Sequence, residues 1–308
     1  MQRPDALHQL SSRIDVHLTA MALLHGYWGQ IWSFMESKKF FPPSKSTHWL
    51  AIHTSHTELY RDVSSFSLHL SLLTHLNSEA SLLSELFMMI LHVSPDDLQR
   101  FAGKFGEIEA RKAGEEFSDW AKTAEARTAV WHAGQVFRAA KALMPAKNRG
   151  FNSIALYFAS LTLWVYGLMT SASHMKLGTS YDSQIVAGAS LKDRVCLNGV
   201  ESQQTQLFRS NAHGVPGIMV LHDEIEQFTD LKNPDKVLDA ARQLYKENVR
   251  QIPSSNQGYL RGAKCIVLIS KNSILSQKSL CHPWLRTWGI FCGIWEACLV
   301  IMVAECPA

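Results

Sequence analysis

The chain has 308 residues, of which 46% are hydrophobic and 19% charged, a balance that describes a folded globular chain and excludes a disordered one. Its formal net charge is only +3, and the doubled basic residues of the first half are confined to Lys38-Lys39 and Arg111-Lys112. That is too dilute a cationic surface for sequence-independent nucleic-acid binding, which must neutralise several phosphates at once.

In chain order the pattern is helical almost throughout. Asp15 to Met35 is apolar with interspersed His and Trp, and a Phe41-Pro42-Pro43-Ser44 breaker follows. His48 to Leu76 is a Ser/Thr/His-rich amphipathic stretch, and Ala80 to His92 is apolar. Ser94-Pro95-Asp96-Asp97 opens the next helix: serine caps, proline takes the first turn, and the acids face the positive end of the helix dipole. The same Asp pair is the one hint of an all-helical isoprenoid synthase. Magnesium on a diphosphate needs further carboxylates one turn on, and there the sequence has Gln99, Arg100 and Phe101.

Phe117 to Met144 reads as a single helix, with Val130, Ala133, Phe137, Ala140 and Met144 on one face. Pro145 stops it and Asn148-Arg149-Gly150 turns the chain. The run that follows has no charged residue from Gly150 to Ser173 and is apolar nearly all the way round, so other helices or lipid must cover it. A span through 151–172 is therefore the membrane alternative. Asn152, Ser153, Ser160 and Thr162 along the run, and flanks without a clear basic bias, argue against it.

Beyond it, His174 to Val220 reads as a glycine-bearing connection with a turn at Asn198-Gly199, and Asn233-Pro234-Asp235 starts a last helix through Val249. After Gln257 the texture changes to apolar, Cys- and Trp-rich runs. Five of the six cysteines (Cys265, Cys281, Cys292, Cys298 and Cys306) lie there at spacings that suit neither a disulfide scaffold nor paired zinc knuckles. The expected class is all-α, a multi-helix domain with a central buried helical hairpin. Its parts are 1–85, a helical N-terminal part, 86–252, the core, and 253–308, a divergent tail read as outside the native fold.

Two strings carry a likeness to a known family: AVWHAGQVFRAAKAL at Ala129–Leu143 and GFNSIALYFASLTLWVYGL at Gly150–Leu168. Together they resemble the regulatory region of fungal-specific zinc-finger transcription factors, also called the middle homology or xylanolytic-activator domain. Leu86–Arg100 resembles the preceding segment of that region, and Arg194–Ser202 with Gly214–Ile218 resembles its downstream loop. The resemblance implies a nuclear transcription regulator, not an enzyme, acting through the transcription machinery or co-regulator proteins. It leaves room for a small-molecule effector and a homodimer.

Family members carry their DNA-contacting zinc upstream, in a two-Cys two-His or six-Cys finger. Here Cys196 is the first cysteine, so zinc belongs to a missing or partner finger module and DNA is reached only through it. No cofactor, no metal and no catalytic residue is expected in this chain. The residues marked as an effector pocket or as core are Trp131, His132, Gln135, Tyr157, Trp164 and Tyr166. Aromatics line ligand cavities and fill cores alike, so the pattern leaves both open. His132 beside the apolar stripe reads as a buried histidine with a hydrogen-bond partner, and His53 and His56 lack the further ligands a metal needs.

Overall fold

The structure is a computed structural model that describes residues 15–40, 48–72, 78–143, 151–176, 193–222 and 225–250. Among them, nine helices and three strands follow in the order α1 (Val16–Phe40), α2 (His48–Leu72), α3 (Ser78–His92), α4 (Pro95–Phe101), α5 (Glu107–Trp120), α6 (Ala124–Ala142), α7 (Phe151–Lys176), β1 (Arg194–Cys196), α8 (Gln203–Asn211), β2 (Val215–His222), β3 (Ile225–Asp230) and α9 (Pro234–Arg250). The helical class and the central hairpin of α6 and α7 are as the sequence implies.

Helix α7 is the axis of the packing. It is long and apolar enough to cross a membrane, yet 78% of its most apolar window is buried inside the protein. Helices α3, α4, α5, α6 and α9 surround it. Leu156, Leu161, Leu163 and Val165 are almost fully enclosed. Its hydroxyls stay satisfied without leaving the core: Ser160 Oγ donates to Leu156 O at 2.6 Å and Thr162 Oγ1 to Phe158 O at 2.9 Å. Asn152 Nδ2 donates to Glu79 Oε1 at 3.1 Å, which ties the start of α7 to α3. Gly167 is required by close approach, since a Cβ there would collide with the carbonyl of Leu231.

The stripe on α6 faces inward: Val130, Ala133, Phe137 and Ala140 are at most 2% exposed, and Arg138 off the stripe is exposed. Met144 lies outside the described residues. Helix α3 buries most of its apolar residues, with α6 along one flank and α1, α2 and α7 along the others. The boundary drawn between residues 85 and 86 falls inside α3, and residues on both sides of it share one core. At α4, Ser94 Oγ accepts from Asp97 N at 3.3 Å and Pro95 takes the first helical position, as the local pattern requires.

Two expectations need correction. The single helix from Phe117 to Met144 is two, because the chain breaks at Ala121–Thr123. Thr123 is extended there and its Oγ1 accepts from Ala126 N at 3.1 Å, which caps α6 anew. The stretch from His174 to Val220 is not all connection. It holds β1, α8 and most of β2, and β3 follows. Strand β1 pairs parallel with β2, Arg194 opposite Val215, and β2 pairs antiparallel with β3, Gly217 opposite Asp230. Pro216 and Gly217 weaken any strand pattern there, and Ser202 with Thr205 forms a capping box for α8 on a sequence with few apolar residues. The tail reading falls at 253–308, outside the described residues.

Replacing Phe137 with Asp places an unpaired charge where exposure is 1% and costs several kcal/mol, on the order of a domain's whole stability. Arg138→Ala costs less than about 1 kcal/mol. Urea denaturation followed by circular dichroism checks both; a Phe137→Asp chain as stable as its parent means the buried face is misassigned.

Candidate functional site

The stretch Trp131-His132-Ala133-Gly134-Gln135 of α6 is built into the fold by what it touches, two elements away in each direction. On one side it meets the turn after β1. A Cβ on Gly134 would run into the backbone of Leu197, so only glycine lets the turn sit on the helix. Gln135, 8% exposed, then clamps that turn: its Nε2 donates to Leu197 O at 2.7 Å and to Gly199 O at 2.9 Å. Asn198 extends the clamp to β2 by a two-way pair, donating to Met219 O and accepting from Met219 N, both at 2.8 Å. Lys141 Nζ donates to the same Met219 carbonyl at 2.9 Å. Burial also pushes the Cys196 thiol in this turn above its ordinary pKa, so it is a poor nucleophile.

On the other side runs a chain of buried polar groups. Arg209 of α8 donates to the Tyr60 hydroxyl at 3.1 Å, Tyr60 lies 3.0 Å from His132 Nε2, and His132 Nδ1 lies 2.7 Å from Glu85 Oε2. Both ring nitrogens of His132 therefore face fixed partners, Tyr60 on one side and Glu85 on the other. The chain links α8, α2, α6 and α3. Burial raises the Tyr60 pKa, so its hydroxyl stays protonated. The geometry is that of an acid–histidine–hydroxyl relay, but its hydroxyl is held by Arg209 inside the helix packing.

Arg127 does similar work one turn earlier on α6. It is 8% exposed, and its guanidinium donates to the carbonyls of Arg209 and Ser210 at the end of α8 and to those of Lys122 and Thr123. Sequence reading did not single out Arg127, Tyr60, Glu85 or Arg209. Their roles depend on partners 47 to 149 residues away in the chain, which no local spacing reveals.

The six residues marked from sequence all lie in the core: Trp131, His132, Gln135, Tyr157, Trp164 and Tyr166 are at most 8% exposed. Trp164 packs against Phe101 at 5.4 Å between ring centroids, and Tyr166 meets Trp120 and Phe208 edge-on. A cavity of about 840 Å³ opens elsewhere, among α1, α3, α4, α5 and α7, and none of the six lines it. Asp96 pairs with Lys39 at 2.9 Å and Asp97 with Arg100 at 2.9 Å, so both carboxylates are engaged by cations. No cluster of three or more His, Cys, Asp or Glu side chains placed to hold a metal occurs among the described residues. His53 and His56 lie one turn apart on α2, and His56 Nε2 lies 3.1 Å from Leu91 O.

Among the described residues, His92 departs from polar satisfaction at both ring nitrogens. Neither ring nitrogen has a hydrogen-bond partner, and the ring is packed edge-on against His56 and Tyr60 and parallel to His132. Desolvation, followed by the neighbouring His132, His56 and Arg209, pushes its pKa down to about 2. Desolvation lowers His56 as well.

Two outcomes follow. Gln135→Leu leaves the Leu197 carbonyl without its donor, costs about 2 kcal/mol, and opens the turn. Alkylation at Cys196, followed by peptide mapping, then runs at least tenfold faster than in the parent. An unchanged rate removes Gln135 as the clamp. For His92 the folded pKa lies below the unfolded value near 6.5, so the unfolded chain binds the extra proton as pH falls through 6.5. Stability therefore drops on acidification between pH 6.5 and about 2, by up to about 1.4 kcal/mol per pH unit from this group. Urea midpoints from pH 7.5 to 5 fall less steeply in His92→Phe; parallel profiles would place the proton elsewhere.

Comparison of this chain with family models, with curated proteins and with solved structures finds no match.

Proposed function

We propose that this chain is a regulatory region of a fungal transcription factor of the zinc-finger type. It acts in the nucleus through contacts with the transcription machinery or co-regulator proteins. DNA is contacted by a finger module that this sequence does not contain, and the zinc belongs to that module. The observation that carries the reading is convergence of the resembling stretches. Ala129–Leu143 packs along Leu86–His92 and against the helix that begins at Phe151, and its Gln135 clamps the turn within Arg194–Ser202, while Arg194–Cys196 pairs as a strand with Val215–Gly217. Stretches that resemble one family in order, and that also bind each other in space, support a shared domain. A chance likeness predicts no such meeting.

The electrostatics agree with a role through protein contacts. The net charge is +3, and several of the described arginines and lysines pair with acids on their own helices, as in Arg111–Glu107 and Lys112–Glu109. Little cationic surface is left to release counterions from DNA.

Fused to an unrelated DNA-binding domain and brought to a reporter promoter, the chain changes transcription at least several-fold. Unfused, it binds DNA weakly, without sequence preference and with loss of binding as salt rises. Reporter output and electrophoretic shifts across a salt series check these outcomes. Tight, salt-resistant, sequence-selective binding by the chain alone overturns the division of roles, and a folded but silent fusion overturns the regulatory reading.

A further inference from the structure

The cavity among α1, α3, α4, α5 and α7 holds about 840 Å³, within the range of about 300–1,000 Å³ typical of small-molecule sites. Its wall is aromatic and aliphatic: Trp28 and Trp32 from α1, Ile90 from α3, Phe117 and Trp120 from α5, Phe158 from α7. Core voids are normally filled by side chains, and a space this large beside six tryptophan and phenylalanine rings is not packing slack. The rings are held from outside the cavity. Trp28 stacks on Phe87 at 5.5 Å between centroids, and Trp120 Nε1 donates to His92 O at 3.1 Å. Two of the wall rings are therefore fixed by their neighbours.

Among the polar groups that line this space, one is a buried neutral amide. Gln99 of α4 lines the cavity and is 6% exposed. Lys104 Nζ donates to its Oε1 at 2.7 Å, which orients the amide and turns Nε2 away from Lys104. An amide held at its oxygen presents its nitrogen as an oriented donor, the character of a recognition group. The remaining wall chemistry argues against charge on the ligand. His92 in the same wall is neutral, and the rim carries Asp96, Asp97, Glu116 and Glu125 against Lys38 and Lys39. Lys39 is already engaged by Asp96 and Glu36. With Asp96 paired to Lys39, and Asp97 and Glu116 to Arg100, the rim carries little excess of either sign, and an ion of either charge would have to shed water to enter an apolar interior.

We infer that this cavity binds an uncharged, mainly apolar ring compound carrying a carbonyl or hydroxyl oxygen. The rings of Trp28, Trp32, Phe117 and Phe158 enclose the body, and the oxygen accepts from Gln99 Nε2. The site stands on its own geometry and does not depend on the transcriptional reading.

Nile red, an uncharged aromatic dye with a ring carbonyl, is the probe. Added to the full chain, it binds saturably at one site, its emission rises, and tryptophan emission is quenched because Trp28, Trp32 and Trp120 line the cavity. Gln99→Leu, which keeps the volume and removes the donor, weakens binding about tenfold, the value of one well-placed buried hydrogen bond. Trp32→Ala weakens it several-fold, while Trp49→Ala, on α2 and away from the cavity, changes nothing. Circular dichroism and the thermal midpoint establish that each variant is folded. Trp32 is 50% exposed, so its loss is tolerated and Trp32→Ala decides the matter even where Gln99→Leu unfolds. No saturable binding, or equal affinity of folded Trp32→Ala and parent, overturns the inference. Equal affinity of folded Gln99→Leu and parent overturns the role of the amide.

Discussion

Everything in this fold follows from the need to cover one helix. From Gly150 to Ser173 the sequence has no charged residue, and α7 has no face it can leave to water. Five other helices close around it. Burial at about 25 cal/mol per Å² makes that enclosure the dominant favourable term, but apolar contact alone does not select one arrangement of helices. The selection comes from small details: Gly167 admits the Leu231 backbone, and Asn152 reaches Glu79. Each works only in one register.

A second layer of specification lies in the polar groups buried between helices. Arg209, Tyr60, His132 and Glu85 satisfy one another across four helices, and Arg127 saturates the end of α8. An unmatched member of such a network costs about 1–3 kcal/mol, more for an ion, so sliding any one helix is strongly opposed. His92 departs from this rule by staying neutral and unbonded among rings, at the cost of acid sensitivity. The interlock explains how a short, weakly patterned sheet is held. Strand β1 has three residues, and it is fixed less by its own ladder than by Gln135 and Asn198 gripping the turn that follows.

What was legible in the sequence is what local chemistry decides. The inward stripe on α6, the cap and proline at Ser94-Pro95, and the enclosure of α7 all depend on spacing and composition within one element. The break at Ala121–Thr123 was hidden because the apolar rhythm continues across it, and only Thr123 capping α6 resets the helix. The strands were hidden for a different reason. Pro216 and Gly217 are poor strand residues on their own, and β2 forms because β1 and β3 supply partners on both edges. Of the candidate site, the sequence marked the correct helix and its Gln135 but not what they hold. It marked Trp131, Tyr157, Trp164 and Tyr166 as core or pocket, and their burial places them in packing, with the cavity lined by other aromatics. An aromatic on a helix has no local signature that separates these two fates.

The cavity and the interhelical polar network share helix α3, since Ile90 lines the one and Glu85 belongs to the other, and this determines which side chains can separate binding from folding. Leu86 and Leu91 line the cavity and also belong to the fully enclosed core, so any change there alters stability and binding together. Gln99 and Trp32 differ. The first makes its structural contact through Oε1, and the second is half exposed at the rim, so each can be altered with the α3–α6–α7 packing intact. The same logic applies to the clamp: Gln135 touches the turn and not the cavity, while His132 is bound into the interhelical network. A ligand effect that disappears on changing Trp32 or Gln99, in a protein whose Cys196 remains protected, must therefore originate in the cavity and not in a general loosening of the helices.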